Sequence, residues 1–301
     1  MSLVLQKILV IFIGILAGFV CRKAKVLTEE ATSALSAIVV KIILPFYLFS
    51  AILNSNTGVN SKEVFLTLGL SAGMFLLSGI VALLLVPLLK APENDRGVYM
   101  FETMCGNVTY IGIPVCVAVL GGNASFYASI LNIPYNLLCF SLGIFLLSGK
   151  VSLKSILNPA FLSGTAAAVL YVLRVPVPSV ILDGCAFVGQ ATSPCAMLII
   201  GSVLASVPFK DIFTEWRAIP YVLLRLAGLG ILMALLLSRM HVDPVLKGVI
   251  ILMASMPAAT NSTMLCTMYG GNRELSAKLI FLSTVLSAVT IPLWASLYFH
   301  I

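Results

Sequence analysis

The chain has 301 residues, of which 60% are hydrophobic and 10% charged, with a formal net charge of +7 and a mean hydropathy of +1.10. Soluble domains carry roughly 45–50% apolar and about 25% charged residues, so this composition excludes a soluble enzyme or binding module and points to a chain solvated by lipid. A basic excess can signal nucleic acid, but in a membrane protein it marks cytoplasmic loops, and no nucleic-acid partner is expected.

A spanning helix needs roughly 20 mostly apolar residues. In chain order such stretches fall at residues 3–21, 34–53, 64–89, 97–120, 125–148, 156–174, 179–206, 218–238, 247–269 and 275–298. The connections are short, so the expectation is an all-α integral membrane fold of ten helices with no soluble domain. The first stretch is followed, not preceded, by basic residues and reads as a retained helix, not a cleaved signal. The seven cysteines stand at no metal-ligand or redox spacing and read as small buried apolar residues; neither metal nor cofactor is expected.

Two basic residues, Lys41 and Arg225, lie inside spans. The loops after odd-numbered spans hold eleven others: Arg22, Lys23, Lys25, Lys90, Arg96, Lys150, Lys154, Lys210, Arg217, Arg273 and Lys278. The opposite side holds five: Lys7, Lys62, Arg174, Arg239 and Lys247. Positively charged loops stay in the cytoplasm, which puts both termini outside in a multi-pass cell-membrane protein.

The two halves, 1–149 and 150–301, echo each other. Pro45 and Pro194 are 149 residues apart, and Gly121-Gly122-Asn123 recurs as Gly270-Gly271-Asn272 at the same offset. Arg96-Gly97-Val98 and Lys247-Gly248-Val249, offset by 151, open the fourth and ninth spans alike. A repeat of five spans is odd-numbered, so its second copy is inverted, an arrangement that equips a transporter for alternating access.

Those two bracketed spans are interrupted. The fourth contains Gly106, Asn107, Thr109, Gly112 and Pro114. Pro114 lacks an N–H and clashes with the preceding turn, so the helix is expected to break just before it, near 112–114. The ninth contains Pro257 followed by Thr260, Asn261, Ser262 and Thr263, all able to cap a new helix. Either proline alone reads equally as a simple kink. Matching breaks in both halves favour a cavity in which two helix N-termini, each carrying roughly half a positive charge, face the bilayer centre and attract an anion such as a carboxylate.

Ionised groups inside a span cost at least about 2.5 kcal/mol on insertion scales and are functional suspects. Lys41, Glu102 and Arg225 fall one to two turns from the predicted cytoplasmic end. Two readings stand for the cations: snorkelling to the headgroups, or an anion-attracting vestibule suited to export. Glu102, five residues before Asn107, is a candidate proton carrier, a structural ion-pair partner or a carboxyl exposed at the interface. Asn132 and Asn136 share a helical face, where they either line the same cavity or tie helices together.

At these residues the chain resembles the auxin efflux carrier family, whose members include plant PIN-type carriers and bacterial relatives that move organic anions. NVTYIGIP at 107–114 is similar to the family's Asn-Thr-x-x-x-Gly-x-Pro stretch, and PAATNSTMLCTMYGGN at 257–272 to its Pro-rich ninth-helix stretch. Leu44-Pro45 and Leu224-Arg225-Leu226 add to the likeness. The resemblance implies ten helices with spans four and nine crossed, on a plan like that of sodium/proton antiporters and bile-acid symporters. It implies a scaffold of spans 1, 2, 6 and 7, a moving transport domain of 3–5 and 8–10, and a homodimer. By the motif, Asn107 contacts the substrate carboxylate and Pro114 and Pro257 form the crossover. The plant carriers' long central loop is missing and Asn261-Ser262 is more polar than theirs, which argues for a small polar acid such as malate or malonate over auxin.

Efflux of an organic anion by an elevator mechanism is thus the expectation. Sodium or proton coupling on the same fold and a non-transporting anion receptor are the alternatives. A membrane enzyme would need a His-Glu, Ser-His or paired-Asp constellation at depth, and the two histidines, His241 and His300, stand at span ends.

Overall fold

The computed structural model describes residues 3–55, 58–149, 156–207 and 215–299. The connection at 150–155, Lys210 and His300 lie outside the described residues. Those described form helices α1 (Leu3–Lys23), α2 (Glu29–Leu53), α3 (Ser61–Leu89), α4 (Glu93–Met104), α5 (Val108–Leu120) and α6 (Ala124–Ser148). There follow α7 (Pro159–Val172), α8 (Ser179–Ser206), α9 (Ala218–Ser238), α10 (Pro244–Ala254), α11 (Ser262–Tyr269) and α12 (Arg273–Phe299). Among them α1, α2, α3, α6, α8, α9 and α12 are long and apolar enough to cross a membrane, while α5, α7 and α10 are shorter apolar helices. The predicted fourth span is thus the pair α4 and α5, and the ninth is the pair α10 and α11.

Local chemistry sets the ends. Asn60 and Glu63 form a reciprocal capping box at the start of α3, Asn158 caps α7, and the Asp243 side chain accepts from two backbone N–H groups at the start of α10. Gly149 and Gly270 close α6 and α11 in the left-handed conformation, where a side chain is disfavoured.

In a bilayer lipid tails are as apolar as leucine, so helices associate through close packing of small residues. α1 lies along the 192–206 part of α8. A Cβ on Gly18 would collide with the Leu198 backbone, and one on Gly201 with the backbone of Ile15 and Phe19. The 44–53 part of α2 packs on α7 and on the 179–189 part of α8, with Ser163 Oγ donating to the Pro45 carbonyl at 2.6 Å. α1, α2, α7 and α8 therefore interlock. Elsewhere α3 packs on α4 and α6, α9 on α10, and α11 on α12.

The loops sort by end. At one end Arg273 pairs with Glu29 at 2.7 Å, Asn272 donates to Asp95 at 2.8 Å, and Arg217 Nε donates to the Leu89 carbonyl at 3.1 Å. All belong to the basic-rich set of connections. From the opposite set, the Tyr171 hydroxyl donates to the Val59 carbonyl at 2.9 Å.

Gly201→Leu should lower thermal stability by ~1–3 kcal/mol or more through overpacking and reduce folded yield. Gly184→Leu, at a position open to 4 Å, should leave both near wild type. Detergent melting curves and size-exclusion yields of the two variants make the comparison.

Candidate functional site

The break in the fourth span does not fall at 112–114. α4 ends at Met104, and the chain is non-helical at residues 105–107 before α5 starts at Val108. Residues Val108–Gly112 form a π turn, in which Gly112 N donates to the Asn107 carbonyl at 2.9 Å. That wider turn carries the chain into Pro114, which sits at the start of the α-helical part without breaking it. In the ninth span the interruption, at residues 255–261, does surround Pro257.

The two interruptions run antiparallel and bond to each other. Gly106 and Ala258 form an isolated antiparallel bridge, and Asn107 N donates to the Pro257 carbonyl at 2.7 Å. Ser283 on α12 accepts from Ala258 N at 3.1 Å. Backbone groups that would be orphaned in hydrocarbon are thereby paired.

Arg225 supplies the rest. It lies in the π turn Leu224–Gly228 of α9 and is 2% exposed. Its Nη1 donates to the carbonyl of Thr103 at 3.4 Å and to that of Ala254 at 3.1 Å. Those carbonyls belong to the last turns of α4 and α10, so one guanidinium answers the negative ends of both first half-helices. A Cβ on Gly106 would overlap the guanidinium, which is why glycine stands there. Arg225 does not snorkel to the headgroups: its partners are at the crossover. Lys41, in contrast, is exposed in the π turn Val39–Ile43.

Asn107 is 4% exposed. Its Oδ1 accepts from Tyr110 N at 3.1 Å and Ile111 N at 3.3 Å, so the N-terminus of α5 is capped from within instead of left free. Its Nδ2 reaches Thr260 Oγ1 at a long 3.5 Å. α11 begins differently, because Asn261 at its N-cap makes no side-chain capping bond. The Thr263 hydroxyl turns back to the Thr260 carbonyl at 3.4 Å. The donors least engaged at the crossover are therefore the Asn107 amide, the Thr260 hydroxyl and the start of α11.

Ser262, the first residue of α11, donates to Glu102 Oε1 at 2.7 Å, and Ser276 on α12 donates to the same oxygen at 2.6 Å. Glu102 is fully buried, and among the described residues no cation lies within ion-pairing distance of it. On the other flank Thr109 donates to Asn132 Oδ1 at 2.7 Å. Asn132 and Asn136 each return their amide to the carbonyl four residues back, at 2.9 and 2.7 Å. Asn132 thus ties α6 to α5 next to the crossover. Gly112 is buried against Met253 and Met256, and Pro114 is half-buried one turn further on.

Sequence reasoning missed Ser276 and Ser283. They are seven residues apart on α12, buried together with Thr284 and Ser287, and that polar stripe on an apolar helix was the available signal. Spacing also reads all seven cysteines as small buried apolar residues. Cys105, at the break itself, is disulfide-bonded to Cys139 on α6 across a Cα separation of 5.9 Å.

Comparison with known proteins gives this geometry a family. A family model described as membrane transport protein matches residues 3–152 and 144–295. The chain belongs to that family. It is the family of the auxin efflux carriers that the 107–114 and 257–272 stretches resemble. An uncharacterised transporter of Methanocaldococcus jannaschii is 26% identical, with 95% of this chain and 96% of the relative aligned. A Rhizobium meliloti protein named "Putative malonate transporter" is 25% identical over 87% of this chain and 85% of its own. An uncharacterised transporter of Methanothermobacter thermautotrophicus is 24% identical over 96% and 97%. The chain is accordingly a multi-pass membrane protein of a transporter family.

Arg225 makes the site testable for structure. Arg225→Met should cost ~2–6 kcal/mol, because the buried carbonyls of Thr103 and Ala254 each lose their donor at about 1–3 kcal/mol. Adding Glu102→Gln should recover part of that loss, because the carboxylate no longer depends on the guanidinium. Melting curves of the wild type, the two single variants and the double variant measure this coupling.

Proposed function

We propose that the chain is a secondary transporter that moves a small organic anion, a carboxylate of the malonate or malate class, by alternating access of elevator type. The observation that carries this reading is the crossover. A buried guanidinium and the uncapped start of α11 converge on one antiparallel bridge, where the amide of Asn107 and the hydroxyl of Thr260 are the least engaged donors. Positive potential and unspent donors, enclosed at low dielectric, favour a carboxylate.

On this reading the helices make ten crossings, as two inverted repeats, 1–149 and 150–301, with α4–α5 and α10–α11 each crossing as a pair. The interlocked α1, α2, α7 and α8 form the scaffold, in a homodimer. The remainder carries the anion, both termini are outside, and net flux is export. The basic loops gathered at one end support the orientation, and the malonate-named relative supports the substrate class. Asn107, Thr260 and Ser262 are all buried, which suits an occluded state between the two openings.

The test is counterflow in proteoliposomes against a panel of mono- and dicarboxylates, with and without sodium and a pH gradient. Malonate or malate should accumulate against preloaded unlabelled substrate, and no counterflow with any carboxylate would refute the reading. Asn107→Ala should cut transport about tenfold or more, as for loss of one hydrogen bond to a charged group, ~1.5 kcal/mol or above. Asn107→Asp separates capping from binding. Aspartate caps as well as asparagine but places a negative charge where the anion is to bind, so folded yield should hold while transport is lost.

A further inference from the structure

The electropositive end of the crossover already faces a carboxylate of the protein's own. Ser262 is the first residue of α11, and its hydroxyl is spent on Glu102. Glu102 therefore stands where the N-terminus of α11 calls for negative charge. Arg225, the one cation that acts on Glu102 electrostatically among the described residues, reaches its carbonyl partner at Thr103, the next residue along. The other titratable groups facing Glu102 are the Tyr221 hydroxyl from α9, which lies alongside without closing a hydrogen bond, Tyr99 from α4 itself and Cys266 from α11. Ser276 faces it from α12.

Glu102 Oε1, Ser262 Oγ and Ser276 Oγ form a closed triangle, with separations of 2.7, 2.6 and 2.7 Å. Each of the three contacts is of hydrogen-bond length and needs a proton between its oxygens. Two serine hydroxyls supply two. With Glu102 ionised, one edge of the triangle has no proton. A proton on Oε1, given to one serine that then turns its own hydroxyl to the other, completes the ring, each oxygen donating once and accepting once. Among the described residues Oε2, the second carboxyl oxygen, is buried and closes no hydrogen bond, with the Tyr221 hydroxyl alongside, a condition a neutral acid tolerates far better than a carboxylate.

We propose, building on the carboxylate reading above, that Glu102 takes up one proton for each anion bound at the crossover, so that the carrier moves the two together. The closed ring is the protonated, occluded form of the carrier; when the site opens empty to water, Glu102 is ionised and balances Arg225. When a carboxylate enters, a proton from water on the loading side bonds to Glu102 Oε1, and Arg225 and the start of α11 turn their charge to the substrate. On the far side the anion leaves, the proton returns to water, and the Glu102–Arg225 balance is restored. No other bond changes. The empty carrier and the carrier loaded with a monocarboxylate cross with the same net charge, and the sum of the proton and anion gradients sets the direction of flux. A metabolically produced acid would leave by this route down its own gradient.

The probe is malonate, with proteoliposomes enclosing a pH-sensitive dye. In the wild type, labelled malonate entering down its gradient should acidify the interior by one proton per malonate, with or without sodium. Glu102→Gln should still exchange labelled malonate above the protein-free background but without acidification, and external pH should no longer alter its rate. Malonate entry into wild-type vesicles without acidification overturns the proposal, as does acidification that persists in Glu102→Gln. A second measurement needs no substrate. Infrared difference spectra of the purified protein between acid and alkaline pH should show a protonated-carboxyl stretch that is missing from Glu102→Gln, and its absence from the wild type overturns the assignment. Wild-type vesicles that show no counterflow with any carboxylate would refute the carboxylate reading itself, and the infrared result then decides the protonation of Glu102 independently.

Discussion

An unpaired peptide group in hydrocarbon costs several kcal/mol, and the architecture of the crossover is a response to that cost. Two chain interruptions are tolerable here because each is the other's partner. Gly106 lies against Ala258 and Asn107 bonds to Pro257, while a single guanidinium takes the carbonyls that both first half-helices leave exposed. Much of the surrounding sequence follows from this. Residue 106 has no side chain because Arg225 fills the volume, α9 loosens into a π turn where Arg225 emerges, and α12 carries Ser283 because Ala258 N needs an acceptor.

How far the sequence told this in advance depends on what each residue reports. Pro257 located its interruption because no wider turn absorbs it. Pro114 misled, because a proline announces only the loss of one N–H, and the π turn at Val108–Gly112 accommodates that loss while the chain parts earlier, at residues 105–107. Asn107 stood out as a candidate ligand, yet its clearest task in the structure is local, capping α5 through Oδ1. Hydropathy boundaries give Arg225 a depth, but depth along a helix does not say which neighbour a long side chain meets. Its partners, Thr103 and Ala254, lie 122 and 29 residues away.

Other features were legible for simple physical reasons. Basic residues divided unevenly between alternate loops, and loops from the richer set meet at one end of the bundle through Glu29, Asp95 and Leu89. The small residues of α1 and α8 were unreadable as a pair, since a glycine does not reveal which backbone approaches it. The Cys105–Cys139 link, between residues 34 apart, was equally silent, because spacing constrains pairing only when the intervening fold is known.

The pairing of the two interruptions has a consequence for how the chain is made. Ala258 and Pro257 are synthesised about 150 residues after the strand they satisfy, which at roughly 5–20 residues per second is a wait of about 8 to 30 seconds. During that interval the first half already holds an interrupted helix whose partner has not left the ribosome, and Arg225 has yet to arrive for most of it. Residues 105–107 must meanwhile be kept hydrated or shielded by the insertion machinery. The step that completes the fold is therefore the late entry of α9 to α12, whose Ser283 takes the Ala258 N–H, and a chain stalled before residue 225 would present the quality-control system with an open polar seam in the bilayer.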